Sequence, residues 1–390
     1  MARPPGVHPV DAFPTPEPAL LTGVPAFLGP VVANPGPPRR VALWPQFTAE
    51  FGTDLPGFVA AAVHGFFAND GGYCHVVPLD ERASPRQRIV DGLAALDGQD
   101  DIDLVCAPDL MAGPGWAPDS ALRAVASPWR AGTPSRPHAE VTQLQEILTA
   151  HCADRGDRFA ILDAVPATAP AAVAEQAAVL SRPYGGYGAL YHPWLRTRTG
   201  SVPPCGHLAG VYSRGDRRVG VHKAPANEPL ADVLDLVAAP TGAQVGALYA
   251  AGVNCVRAFP ARGIRVWGAR TLGDPAGRRD IGARRVVGTV HRWIERFMAG
   301  LVHEPNDVRL WVRMMRELTA YLDGLYAAGA LRGRTAGEAF YVKCDHETNP
   351  AATVAAGLVV TEVGLAPSVP AEYVVVRVVH GAGGVAINAM

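Results

Sequence analysis

Cys344-Asp345-His346-Glu347 sets four residues with metal-ligating side chains in a row. They close a strand-like run, Phe340 to Lys343, and successive strand residues point to opposite faces, so all four cannot aim at one ion. The spacing predicts a polar turn at a strand end. Cys205 and His207, with His222 further on, would pair a thiol with an imidazole, but no third group to orient the base is apparent. The glycines and prolines around them predict a tight loop. Asp109 and Asp163 follow apolar runs, where an α/β enzyme places catalytic carboxylates. Aspartate is equally an ordinary turn residue there.

Sharper motifs fail. A phosphate-cradling GxxxxGK[ST] loop needs lysine after glycine, and the two lysines, Lys223 and Lys343, follow His222 and Val342. No GxGxxG follows a strand-like run. The hydrolase elbow GxSxG is missing, since Val211 stands where Ser213 would need a glycine. HExxH is broken at His303-Glu304-Pro305 and at His346-Glu347-Thr348. The sequence therefore predicts no catalytic residue, no cofactor and no metal.

The elements that would position a site read as a mixed α/β chain. Of 390 residues, 48% are hydrophobic and 18% charged, enough for a large core. The formal charge of −1 offers no electrostatic case for nucleic acid. No run approaches a membrane span, and the first residues lack the apolar core of a signal peptide. Six scattered cysteines predict reduced, buried thiols made in a cytosol. Residues 1–38 carry prolines too close together for a helix and predict an extended arm with one apolar strand near Val24–Gly29. Strands are predicted at Val41–Trp44, Tyr73–Val77, Ile102–Cys106, Phe159–Leu162, Ile264–Trp267, Phe340–Cys344, Leu358–Val363 and Tyr373–Val379. Helices are predicted at Phe58–Phe67, Arg88–Leu96 and Ala139–Cys152, and residues 192–230 give no clear element. Two long helices follow. Their apolar stripes are Val286, Val290, Trp293, Phe297, Leu301 and then Trp311, Met315, Leu318, Leu322, Leu325, with Asn306 as the cap between them.

The second half carries a resemblance. Val202-Pro203-Pro204-Cys205-Gly206-His207-Leu208-Ala209-Gly210-Val211-Tyr212 and Arg217 to Asn227 resemble the contractile tail sheath family. That family comprises phage tails, R-type pyocins and phage-tail-like injection systems. Gly252 to Arg257, Gly263 to Leu272, Glu304-Pro305-Asn306-Asp307, Leu310-Trp311, Lys343-Cys344-Asp345, Glu347-Thr348-Asn349-Pro350 and Ala366 to Tyr373 continue the match. Cys205 stands where the family commonly has a small serine. The likeness is specific over about 184–380 and fainter at Pro5-Gly6-Val7 and Val24 to Gly29.

The resemblance implies an α/β (α+β mixed) sheath core whose extended N- and C-terminal arms add strands to neighbouring subunits' sheets. The expected organisation is an arm at 1–38, an N-terminal α/β part at 39–200, a C-terminal core at 201–370 and an arm strand with tail at 371–390. Strand exchange is expected through Val7, Leu21, Val24, Phe27, Tyr373, Val375 and Arg377. Inner-tube contact is expected at Arg313, Arg316, Arg332 and Arg334. The implied function is a structural subunit polymerised as stacked six-subunit rings around a tube, contracting to drive the tube into a target envelope. The implied partners are its own copies, the inner tube protein, and baseplate and terminator or cap proteins. No nucleic acid and no direct membrane insertion are expected, and assembly is expected in the bacterial cytoplasm. The alternatives are a non-contractile shell or baseplate protein sharing the core, or an α/β hydrolase.

Overall fold

The computed structural model describes residues 20–30, 36–52, 55–80, 82–112, 136–166, 169–273, 280–301, 304–381 and 384–389. In chain order the first part runs β1 (Pro25–Gly29), β2 (Arg39–Val41), α1 (Trp44–Phe51), α2 (Val59–Ala68), β3 (Cys74–Pro78), α3 (Pro85–Ala94), β4 (Leu104–Cys106), α4 (His138–Arg155), β5 (Phe159–Asp163) and α5 (Pro170–Leu180). The middle continues with β6 (Gly188–His192), β7 (Leu195–Thr197), β8 (Gly200–Val202), α6 (Cys205–Arg218), β9 (Asp235–Leu236), α7 (Gly242–Ala250), β10 (Val253–Phe259) and β11 (Gly263–Trp267). The last part holds α8 (Ile281–Ala299), α9 (Val308–Ala327), α10 (Ala336–Ala339), β12 (Phe340–Lys343), α11 (Ala351–Ala355), β13 (Val359–Leu365), β14 (Val374–Gly381) and β15 (Gly384–Ala389).

Eight strands form the main sheet in the order β11-β10-β6-β5-β4-β1-β3-β2. Its interior pairs are parallel, and only the two outermost pairs are antiparallel. Parallel strands need both faces covered, which is why β1, β5 and β6 are buried at every residue. Alternation sorts the strand side chains. Phe27, Ile161 and Tyr191 meet α2 and α6 on one face, while Ala26, Leu28, Leu162 and Leu190 meet α3, α4, α5 and α7 on the other. A separate core joins α8 and α9 to the antiparallel sheet β12-β13-β14-β15.

Four local expectations are corrected. The run without a predicted element contains α6, buried from Cys205 to Arg214. Its glycines permit close packing on α2: a Cβ on Gly206 would lie 2.3 Å from the Ala62 Cα, and one on Gly210 2.5 Å from the Phe66 carbonyl oxygen. In α8 the buried face is Val286, Val287, Val290, Ile294 and Met298. Trp293 and Phe297 flank it half-buried, with Trp293 stacked on Tyr321 at 4.1 Å. In α9, Trp311 is buried as expected, but Met315 and Leu325 are only half-covered. The α9 cap is Asp307, which accepts from the Arg309 and Leu310 amides. Asn306 instead accepts from the Trp311 indole at 2.9 Å.

Four histidines set an acid response. Burial pushes His151, His192, His207 and His291 down to about 4. A folded pKa below the unfolded value of about 6.5 means that the unfolded chain takes up protons first. The stability they confer is complete above pH 6.5 and is lost as pH falls toward 4. Burial lifts Asp163 to about 7, so it gains stability over the same fall and offsets about one histidine. For the well-buried His192 and His207 each loss is about 2–3 kcal/mol. The melting temperature is therefore expected to drop steeply between pH 6.5 and 4, and a flat profile would contradict these burials.

Candidate assembly surfaces

The segment that leads into β1 is held by charge. Asp103, buried just before β4, accepts from the Gly23 and Val24 amides at 3.0 and 2.7 Å. Arg285 on α8, its side chain 3% exposed, reaches Asp103 at 2.8 Å and Asp216 on α6 at 2.5 Å. Burial opposes its charge, but the Asp216 and Asp103 carboxylates outweigh that and hold the guanidinium protonated, its pKa pushed up. Two turns on, Arg292 donates to the carbonyls of Leu21 at 2.5 Å and Asp101 at 3.2 Å. These groups tie Leu21–Val24 to both the main sheet and α8.

The expected exchange residues fall in different places. Val7 lies outside the described residues. Leu21 is exposed, at the start of the clamped segment. Val24 and Phe27 do not belong to an arm: β1 is a central strand of the chain's own sheet, between β4 and β3, and Phe27 is fully buried. Tyr373, Val375 and Arg377 are likewise engaged within the chain. Tyr373 donates its hydroxyl to the Gly337 carbonyl, and Val375 and Arg377 pair in register with Gly364 and Glu362. The chain then turns back as β15, so the outer edge of this sheet is Gly384–Ala389 rather than β14.

The four arginines expected to face a tube are all exposed, but not equivalent. Arg313 pairs with Glu304 at 3.2 Å and Arg316 with Glu317 at 2.7 Å. Arg334 is 92% exposed and only 3.7 Å from Glu338. Arg332 lines a cleft with His222, Lys223 and Asp280, its amide bonded to the Ala366 carbonyl. Arg313 and Arg316 lie within α9, and Arg332 and Arg334 two residues apart in the stretch that follows it.

The chemical constellations resolve into scaffolding. Asp345 accepts from the Glu347 and Thr348 amides, and Lys343 pairs with Glu347, which makes the polar turn. No group of three metal-ligating side chains converges among the described residues. Asp163 accepts from the Cys205 amide at 2.9 Å and so caps α6. Burial pushes the Cys205 thiol well up, so it is no thiolate nucleophile. Sequence reasoning missed Arg285 and Arg292. Their seven-residue spacing puts two arginines on the buried side of an apolar helix, and that was the available signal.

The described residues thus form packed sheets joined by a buried charge clamp. Residues 132–272 match the phage tail sheath protein central domain. A chain of the anti-feeding prophage baseplate, 6-fold symmetrised, is 28% identical over 96% of this chain and 98% of its own, with TM-score 0.73. The anti-feeding prophage helical sheath in its contracted state gives 28% identity, 96% and 98% coverage, and TM-score 0.71. The PVC sheath complex of an extracellular contractile injection system, also contracted, gives 24%, 96% coverage of each chain and 0.70. No curated protein matches the sequence. The chain is thus similar to structural sheath proteins over nearly its whole length, and its central part matches their domain.

Proposed function

We propose that this chain polymerises as stacked six-subunit rings around an inner tube and contracts to drive that tube into a target envelope. The observation that carries the reading is the full-length likeness to anti-feeding prophage chains, one from a contracted helical sheath. The residues before Leu20, Val7 among them, connect subunits as an arm, and Leu21 marks where the arm leaves the clamp. At the other end the open edge of β15 is free to pair with a neighbour's strand, with Tyr373, Val375 and Arg377 fixing the register behind it. Arg313, Arg316, Arg332 and Arg334 face the tube, and Arg332 and Arg334 carry most of the attraction, since glutamates offset the other two closely. Copies meet baseplate and terminator proteins at the ends, and assembly takes place in the bacterial cytoplasm. Work comes from a metastable extended lattice passing to a second packing. Negative-stain microscopy of the purified protein tests the reading. Striated hollow tubes are expected, and discrete globules at every concentration would overturn it.

A further inference from the structure

The β10–β11 hairpin at one end of the main sheet carries an arginine-aromatic patch. Phe259 on β10 and Trp267 on β11, though offset in register, bring their ring centroids to 5.0 Å, and Trp267 is 37% exposed. Arg257 lies over both rings, at 5.1 and 5.8 Å, and Arg262 over Phe259 at 5.6 Å. Arg262 otherwise donates to the Asn227 side chain at 2.9 Å, and Arg265 to the Asn227 carbonyl at 2.6 Å. None of the three arginines has a carboxylate within 4.0 Å among the described residues. Exposed Trp, Phe and Arg held this way are the composition of an interface centre.

An acidic corner complements it. Asp97 and Asp100 are exposed in the turn that precedes β4, and Asp154 is exposed in the last turn of α4. Glu295 on α8 lies close enough that Asp157 and Asp100 add to the effect of burial in pushing its carboxyl up, against Arg155. The two patches cannot satisfy each other within one chain. The hairpin turn lies past the C-terminal end of β10 on the sheet's outer side. Asp97 and Asp100 lie before the N-terminal ends of the parallel strands, three strands inward.

We infer that the Arg257–Arg262–Trp267 hairpin docks onto the Asp97–Asp100–Asp154 corner of a second copy of this chain. Complementary patches at different places on one surface make a head-to-tail contact, which closes into a ring or runs on as a helix instead of stopping at a dimer. The inference rests on the polymer reading above and gives it a specific lateral contact. The aromatic rings supply the desolvated centre, and the arginines supply register and salt sensitivity.

The test uses the full chain and follows polymer formation by sedimentation and negative-stain microscopy over a salt series. R257E/R262E and D97K/D100K are each expected to raise the critical concentration at least tenfold; because Arg257 lies half-buried over two rings and Asp97 is near Arg158 and His151, melting curves are recorded first and assembly is compared at a temperature where every variant is folded. Combining the four substitutions is expected to restore assembly to within about threefold of wild type, since the charges are exchanged. R262A, a milder change, is expected to flatten the salt dependence. Wild-type polymers from either double variant, or no recovery in the combination, overturn the pairing and leave the patch to another partner. A wild-type chain that never polymerises removes the sheath reading as well, so the two failures are distinguishable.

Discussion

A chain lacking residues 1–29 is expected not to fold, whereas one lacking residues 1–19 keeps its core. The first deletion removes β1, whose Ala26, Phe27 and Leu28 are fully buried between β4 and β3. Its neighbours would be left as two unpaired inner edges in a sheet covered on both faces, where no water can replace the lost backbone partners. The shorter deletion stops before Leu21, so every described bond from Asp103 and Arg292 to this segment survives. Because a truncated chain can simply aggregate, Phe27→Ala offers a graded version. It empties a site in contact with Phe66, ring centroids 5.8 Å apart, and should cost about 3–5 kcal/mol. Chemical denaturation reads the loss. A folded, cooperative 30–390 fragment would mean that β1 is dispensable and that the opening strand is after all an arm.

Arg285→Met is the second large expected effect. The substitution leaves Asp103 and Asp216 buried with their shared cation gone. Stranding charge in this way costs about 3–5 kcal/mol, more than the net worth of an intact buried pair. Asp103 still accepts from the Gly23 and Val24 amides, while Asp216 loses its main partner. Arg285→Met combined with Asp216→Leu should therefore recover most of the stability. If the double variant is as unstable as the single one, the arginine acts through shape and not through charge. A wild-type midpoint for the single variant would show that the clamp contributes nothing to the fold.

The sequence was most legible where one physical rule acted alone. Apolar runs ended by proline, such as Cys74–Pro78, sit close to their predicted strands, and the stripes of α8 and α9 announced both helices. It misled where two rules competed. Gly206 and Gly210 are poor helix formers, yet α6 exists because their missing side chains let it lie against Ala62 and Phe66. The prolines of residues 1–38 excluded a helix correctly. They could not reveal that Pro25–Gly29 sits mid-sheet, because strand order depends on residues 75 and 104, far along the chain. Of the assembly surfaces, composition gave the arginines but not their pairings. Arg313 and Arg316 read as free charge, and only the fold brings Glu304 to one of them.

The position of β1 bears on how the protein is made. The first described strand cannot finish docking until its partners follow: Asp103 some eighty residues later, then Arg285 and Arg292 well past the middle of the chain. Native contacts this distant in sequence slow folding. Until they form, the nascent N-terminal strand keeps its backbone edges unpaired. The lead-in segment Leu21–Val24 is thus withheld from its final geometry until α8 has been synthesised. On the proposed reading, polymerisation through an arm anchored there would be deferred to nearly complete chains.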